Sequence, residues 1–446
     1  MKEERSSHSL LSFTRYLNQV FHFGEAAAGL RDARQDPDFP PSAVFRAAFY
    51  GFVFRLSSFQ ELEADLAHPH LQRFLGVEEP FRDDTLRYSL CGFELEPLEQ
   101  MLVDINRRLK RSKAFDPGRV QGRIVAALDG IEILSSYSRC CDSCLQRRVT
   151  SQDSEGQPVE RLQYYHRAVA CQIVSAPVKS ILAVEWLQPG EGEDTAALRL
   201  LRRLPQLYGS RFFDILLLDS LYPQAPVLQL AQRIGWDLVI TLKQENRDLY
   251  QSAKRLFESR TPDEQFTEEL PGKRYEVRLW ETDGLPFTDD YPQPVRVVWS
   301  EEKLTQNHYR QKQLQAETTH QQWVWMTTLD PKTFRGPVVR RLGHDRWKQE
   351  NNGWNDLTQN WALKHGALHA CKHRPRQLGP DGTRQPVPNR GLAVVTLIRC
   401  LAFVLSAAFS LRHSKLVRLH HLSLREVARQ LYRSLWQQQP PIRAPA

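Results

Sequence analysis

Seven cysteines in 446 residues are too few for a disulfide framework. Covalent cross-links therefore do not set this fold, and a reducing cytoplasm is the expected setting. The chain has no Gly-Lys-Ser/Thr phosphate loop and no Gly-x-Gly-x-x-Gly turn, which leaves nucleotide hydrolysis and dinucleotide chemistry without support. No apolar run follows the charged residues 1–8, so no secretory leader is expected. The most membrane-like stretch, 392–411, is interrupted by Arg399 and dotted with Ser and Thr. It is expected to be a buried core helix, with no membrane as partner. Acidic residues are scarce towards the C-terminal end: within 335–433, five Asp and Glu stand against eighteen Lys and Arg. That local excess says more than the overall net charge of +8, and it favours a polyanion, of which nucleic acid is the commonest.

Hydrophobic residues make up 41% and charged residues 25%, the balance of a soluble globular protein, and the length calls for two or three domains. Residues 1–116 carry helical patterning, with Asp83-Asp84 before Thr85-Leu86-Arg87 as a helix start capped by short acceptors. Helices broken by turns suit a helix-turn-helix reader of DNA and suit any small bundle equally well. From 123 the period changes. Strands are expected at 123–129 (extending through 133), 163–174, 180–187, 213–220 and 236–242. Helices are expected at 192–207 and 227–234, the second stopped by Gly235. This order of strand, strand, strand, helix, strand, helix, strand over 117–243 is that of a ribonuclease H-like mixed sheet flanked by helices, an α/β class. Residues 244–329 alternate with period two around Trp280, Trp299, Trp323 and Trp325. They read as a β-rich insertion or as a separate β-domain, with the tryptophans mainly in the core. A patterned helix follows within 330–373. Then come a Pro-, Gly- and Arg-rich loop at 374–390, further helices at 391–436 and a tail at 437–446.

Three carboxylates stand out. Asp129 ends the apolar run Ile124-Val125-Ala126-Ala127-Leu128, and Asp219 ends Ile215-Leu216-Leu217-Leu218. Runs of this kind are strands buried on both faces, and an acid at such a strand's end is carried to the rim of the sheet. Glu350 falls between Trp347 and Trp354 in a segment where Trp347, Trp354 and Trp361 recur every seven residues. It is expected on that apolar face, either as a metal ligand or in an i,i+4 ion pair with Arg346. Three acids at one rim suit two Mg²⁺ ions, with Mn²⁺ able to substitute. Asp214, Glu132 and Asp345 are the competing acids. Asp214 belongs at the opposite edge, Glu132 on the opposite face of its strand, and Asp345 in solvent.

Asp129-Gly130, Asp219-Ser220-Leu221-Tyr222 and Arg346-Trp347-Lys348-Gln349-Glu350-Asn351 together resemble the DDE transposases of bacterial insertion sequences. The likeness spans 123–365. It implies adjacency of the first and fourth strands of the core, which would bring Asp129 beside Asp219. It also implies a β-rich insertion such as the 131-residue interval between Asp219 and Glu350 can accommodate. The activity implied is metal-dependent cleavage at transposon ends and transfer of the freed 3′-OH into target DNA. The resemblance further implies double-stranded DNA as the partner, end binding by the 1–116 helices and a homodimer on DNA. Arg346 would steady a phosphate. A Lys usual seven residues after the Glu is Leu357 here, leaving Lys364 as the basic residue for that task. A nuclease without strand transfer and an inactive DNA-binding derivative are the alternative functions.

The remaining constellation is Cys141 and Cys144 in a Cys-x-x-Cys pair, with His166 and Cys171 on the next strand. A reduced, partly buried thiol cluster without metal is the expected reading, and a structural zinc, for which these four match the ligand number, is the alternative.

Overall fold

The runs Val125-Ala126-Ala127-Leu128 and Ile215-Leu216-Leu217-Leu218 are apolar at every position because both faces of their strands are covered. Ala126, Leu128, Leu216 and Leu218 enter one core, while Val125, Ala127, Ile215 and Leu217 enter a second on the other side. The computed structural model describes residues 9–437, apart from 153–154, 244–247, 311–312, 367, 370–372, 379–382 and 413–422. All of the expected tail except Gln437 lies outside the described residues.

Among the described residues, ten strands form one mixed sheet: β1 (Val125–Ser136), β2 (Leu145–Gln152), β3 (Pro158–Ile173), β4 (Ser180–Trp186), β5 (Ile215–Leu218), β6 (Asp237–Thr241), β7 (Glu264–Leu270), β8 (Lys273–Leu285), β9 (Val295–Arg310) and β10 (Gln313–Thr327). Their order is β2-β3-β1-β5-β6-β10-β9-β8-β7, with β4 pairing β3 off this path. β1 runs antiparallel to β3 and parallel to β5, and β5 runs parallel to β6. The β-rich segment is not a separate β-domain. Its last strand pairs with β6 through Trp325↔Thr241, Met326↔Ile240 and Thr327↔Val239, so all four strands extend the central sheet. Trp299 and Trp325 are buried, and Trp323 is half-buried.

Among the described residues, seven α-helices precede the sheet: α1 (Leu10–Phe21), α2 (Phe23–Ala28), α3 (Pro41–Phe54), α4 (Phe59–Leu66), α5 (Pro69–Leu75), α6 (Asp83–Cys91) and α7 (Leu95–Arg111). Asp83 and Asp84 do not cap α6. They lie in its first turn, and the Glu63 carboxylate from α4 accepts the Asp83 N–H instead. The helices α8 (Glu193–Tyr208), α9 (Ala225–Ile234), α10 (Asp248–Glu258) and α11 (Gly336–Asp345) pack on strands of the sheet. α9 ends where Gly235 turns to φ +87°, a conformation that suits a residue without Cβ.

Three short pieces follow α11: α12 (Trp347–Gln349), a π-turn (Glu350–Trp354) and α13 (Asn355–Asn360). Part of 374–390 is a small hairpin, β11 (Arg376–Leu378) and β12 (Arg384–Pro386), rather than loop throughout. The long apolar helix α14 (Gly391–Arg412) meets the length and composition of a membrane span, and 94% of its apolar window is buried inside the protein. It packs against α3, α6 and α7. Arg399 donates to the Leu363 carbonyl at 3.2 Å and lies over the Phe52 ring. A last helix, Leu424–Trp436, docks on α1 and α3.

Candidate active site

Asp129 is not at the end of its strand: β1 continues to Ser136. What stops is its neighbour. β5 ends at Leu218, and the last β1–β5 pair is Ala127↔Leu217. The same register carried two residues on sets Asp129 level with Asp219. Side chains alternate along a strand, so both acids share the face of Val125, Ala127, Ile215 and Leu217. α11 packs on that side through Val339 and Leu342 and leads directly into Arg346.

Arg346 joins the two acids. Its Nη1 donates to Asp129 Oδ2 at 3.1 Å, and its Nη2 lies 3.9 Å from Asp219 Oδ1. The arginine side chain is 3% exposed, against 18% for Asp129 and 29% for Asp219. Lys243, just past β6, approaches Asp219 Oδ1 at 3.7 Å. Each aspartate also accepts the N–H of the next residue, Gly130 at 2.9 Å and Ser220 at 2.7 Å. Burial pushes the Asp129 carboxyl up to about 6 against the pull of Arg346, and the Asp219 charge adds to the rise.

Glu350 opens the π-turn and borders the same cleft, of about 350 Å³, which Asp129, Glu132, Arg167, Asp219, Trp347 and Lys364 also line. Among the described residues no ion pair links Arg346 to Glu350, since the guanidinium is taken by the aspartates. Nor does the heptad of tryptophans form one buried face. Trp354, Leu357 and Trp361 are buried together with Gln349, whereas Trp347 is half-buried at the cleft with the Arg346 and Lys243 cations over its ring. The π-turn inserts a residue into the helical repeat and shifts the phase on either side, a device frequent at functional sites. Lys364 does not continue the helical face. α13 ends at Asn360, and Lys364 is exposed in a turn beyond it, still facing the cleft.

The competing acids are tied elsewhere. Asp214 accepts the Ile124 N–H at the other end of the strands, and Asp345 pairs with Lys348 at 2.8 Å instead of lying free in solvent. Glu132 pairs with Arg147 at 2.9 Å and borders the cleft.

A residue that sequence reading passed over is Glu193, which looks like an ordinary first-turn acid of α8. Its carboxylate accepts the Tyr222 hydroxyl at 2.8 Å and pairs with Arg167. It also lies so close to Gly130 that a Cβ there would overlap it. The signal was present in Asp129-Gly130: a glycine in mid-strand marks a close approach. Burial and the Glu193 charge hold the Tyr222 phenol well above its usual range, so it remains a donor.

Away from this cleft, Cys141, Cys144 and His166 come together as expected, but Cys171 does not join them. Five residues from His166 on one strand, it faces the opposite side, and it is buried in the core where burial raises its thiol. The fourth position is taken by His369, whose Nε2 lies 3.0 Å from Cys144 Sγ.

No family model matches the chain, and no curated protein matches it. Among solved structures it is similar to a piggyBac transposase in a cryo-EM synaptic complex with hairpin DNA. That alignment covers 99% of this chain and 84% of that one, with 10% identity and a TM-score of 0.40. At that level the likeness fixes neither fold nor activity.

Proposed function

We propose that this chain is a DDE transposase of insertion-sequence type, built on a ribonuclease H-like core, that cleaves double-stranded DNA at transposon ends and joins the freed 3′-OH to a target. The observation that carries this reading is that Asp129 on β1 and Asp219 just past the end of parallel β5 share one cation, Arg346, and line one cleft with Glu350. The donor set suits hard cations: three carboxylates, oxygen atoms only. Burial, and after it the Asp219 charge, raise the Asp129 carboxyl despite Arg346, so ionised Asp129 leaves room for a further cation beside it.

Asp129, Asp219 and Glu350 would hold two Mg²⁺ ions. When bound, such ions lower the pKa of an attacking water and stabilise a leaving 3′ oxygen. The chain's own residues do the rest. Arg346 offsets the repulsion between the aspartates and, through its planar fork, has the form to meet a phosphate. Lys243, Arg167 and Lys364 add positive charge for the DNA backbone. Glu193 fixes Arg167 and Tyr222 beside Asp129. The helices of residues 10–111 are the candidate end-binding surface, and joining two ends calls for a dimer on DNA. A cytoplasmic setting remains the expectation for a chain this poor in cysteine.

The test is cleavage of a DNA fragment carrying the element's own termini, in Mg²⁺ or Mn²⁺, by wild type and Glu350→Gln. Nicking at the ends that is lost in the variant is expected. Tight binding without nicking under either metal would overturn the reading.

A further inference from the structure

We infer that Cys141, Cys144, His166 and His369 hold one zinc ion, and that this ion clasps the segment following Glu350 to the sheet that carries Asp129. The inference stands on its own geometry and does not depend on the transposase reading.

The four ligand atoms lie within 4.8 Å of one another. Cys141 Sγ is 3.5 Å from Cys144 Sγ and 3.2 Å from His166 Nε2, and Cys144 Sγ is 3.3 Å from His166 Nε2 and 3.0 Å from His369 Nε2. A tetrahedron built from ordinary zinc–sulfur and zinc–nitrogen bonds has edges of about 3.3–3.8 Å, so seating one ion opens these four contacts by a few tenths of an ångström and draws in the widest separation, which is within 4.8 Å. The atoms are too close together to enclose a cluster of two metals. The cysteines are not joined to each other. The Cys141 N–H points at Cys144 Sγ, at 3.2 Å, as suits a thiolate.

Burial supports a ligand role. His166 and His369 are each 7% exposed and Cys144 is 5% exposed. Among the described residues His369 Nδ1 is buried with no partner, and the ring's polar contacts there run through Nε2 to the cluster. A buried imidazole held only by thiols is a poor arrangement, and a metal makes it a good one. Two sulfurs and two imidazole nitrogens in a closed tetrahedral set are a structural zinc set. Binding would displace the two thiol protons to solvent.

The position says what the ion fastens. Cys141 and Cys144 lead into β2, and His166 pairs with Leu134 of β1, the strand of Asp129. His369 comes from the far side, beyond α13. That segment is already close-packed on the sheet, since a Cβ at Gly366 would clash with Leu134.

The experiment measures metal in the purified full-length chain by elemental analysis, then replaces it with Co²⁺ and records the visible spectrum. One zinc per chain is expected, with Co²⁺ ligand-field bands of a tetrahedral two-sulfur, two-nitrogen site. Cys171→Ser should keep full zinc content, while His369→Ala should lose most of it or bind at least tenfold more weakly. Absence of zinc and failure to take up Co²⁺ in wild type would overturn the inference. So would retention of zinc by His369→Ala together with its loss in Cys171→Ser. Because the wild-type metal content and spectrum do not depend on any variant folding, an insoluble His369 variant leaves the test intact.

Discussion

Replacing Asp129 by Asn should make the protein more stable while abolishing cleavage. The carboxyl rises from an ordinary 3.8 to about 6, so ionising it costs the folded state about 3 kcal/mol relative to the unfolded chain. That figure already includes the help of Arg346. Asparagine has nearly the same shape, can accept from Arg346 through its carbonyl, and never ionises. In buffer without Mg²⁺ or Mn²⁺ at pH 8, Asp129→Asn should therefore exceed wild type by up to about 3 kcal/mol in urea denaturation. The sign reverses the usual carboxylate case. The folded value lies above the unfolded one, so the folded state keeps its proton longer, and wild-type stability falls as pH rises from about 3.8 to 6. At pH 5 the variant's advantage should have shrunk to about half. Added Mg²⁺ should stabilise wild type and not the variant. A variant less stable than wild type at pH 8, or a gain that does not change with pH, would refute the reasoning, because either would mean that Arg346 already balances the buried charge.

Arg346→Ala leaves two close aspartates without their shared cation. It should destabilise the metal-free protein by about 2–3 kcal/mol, below the range for fully buried pairs because both acids keep some solvent contact. Excess Mg²⁺ should recover most of that loss in the same denaturation assay. Gly130→Ala drives a Cβ into the Glu193 carboxylate, so a loss of about 1–3 kcal/mol is expected, read by thermal melting and accompanied by weaker cleavage. Glu350→Gln removes an acid with no ion pair among the described residues, so its stability should stay within about 0.5 kcal/mol of wild type while nicking is lost. In the exposed hairpin, Arg376→Ala with Arg384→Ala should reduce the slope of log affinity for DNA against log salt by up to about 1.8. An unchanged slope would remove that hairpin from the DNA path.

The parts of the site legible in sequence are those governed by local rules. Apolar runs ending in Asp129 and Asp219 announced two buried strands, and the period-two alternation announced the strands around Trp280, Trp299 and Trp325. Polar β2, with Leu145-Gln146-Arg147-Arg148 at its start, gave no such signal, because beyond Leu145 neither row of its side chains is buried. That the four later strands extend the same sheet was also invisible: a strand's pattern shows which face is buried, not which neighbour it pairs with. Glu350 was found by placing it on the wrong face. A wheel drawn at 3.6 residues per turn cannot foresee a π-turn, so Trp347 was read as core when it lines the cleft. His369 lies 225 residues from Cys144, and no spacing rule reaches that far. Cys171 was chosen for its nearness in sequence, although alternation along β3 already pointed it away from His166.

The way α14 fills the centre of the helical body bears on how this protein comes off the ribosome. Helices α1–α7 emerge well before residues 391–412 and 424–436, which cover much of the surface those helices bury. The order of synthesis and the order of closure therefore run opposite ways. Until those residues are made, the early helices present Phe13 and Tyr16 without Phe409, Phe52 without Arg399 and Phe54 without Tyr432, an exposure that invites chaperone capture. A chain cut short before residue 391 should fail to seal its helical body, and with it any surface those helices build for DNA.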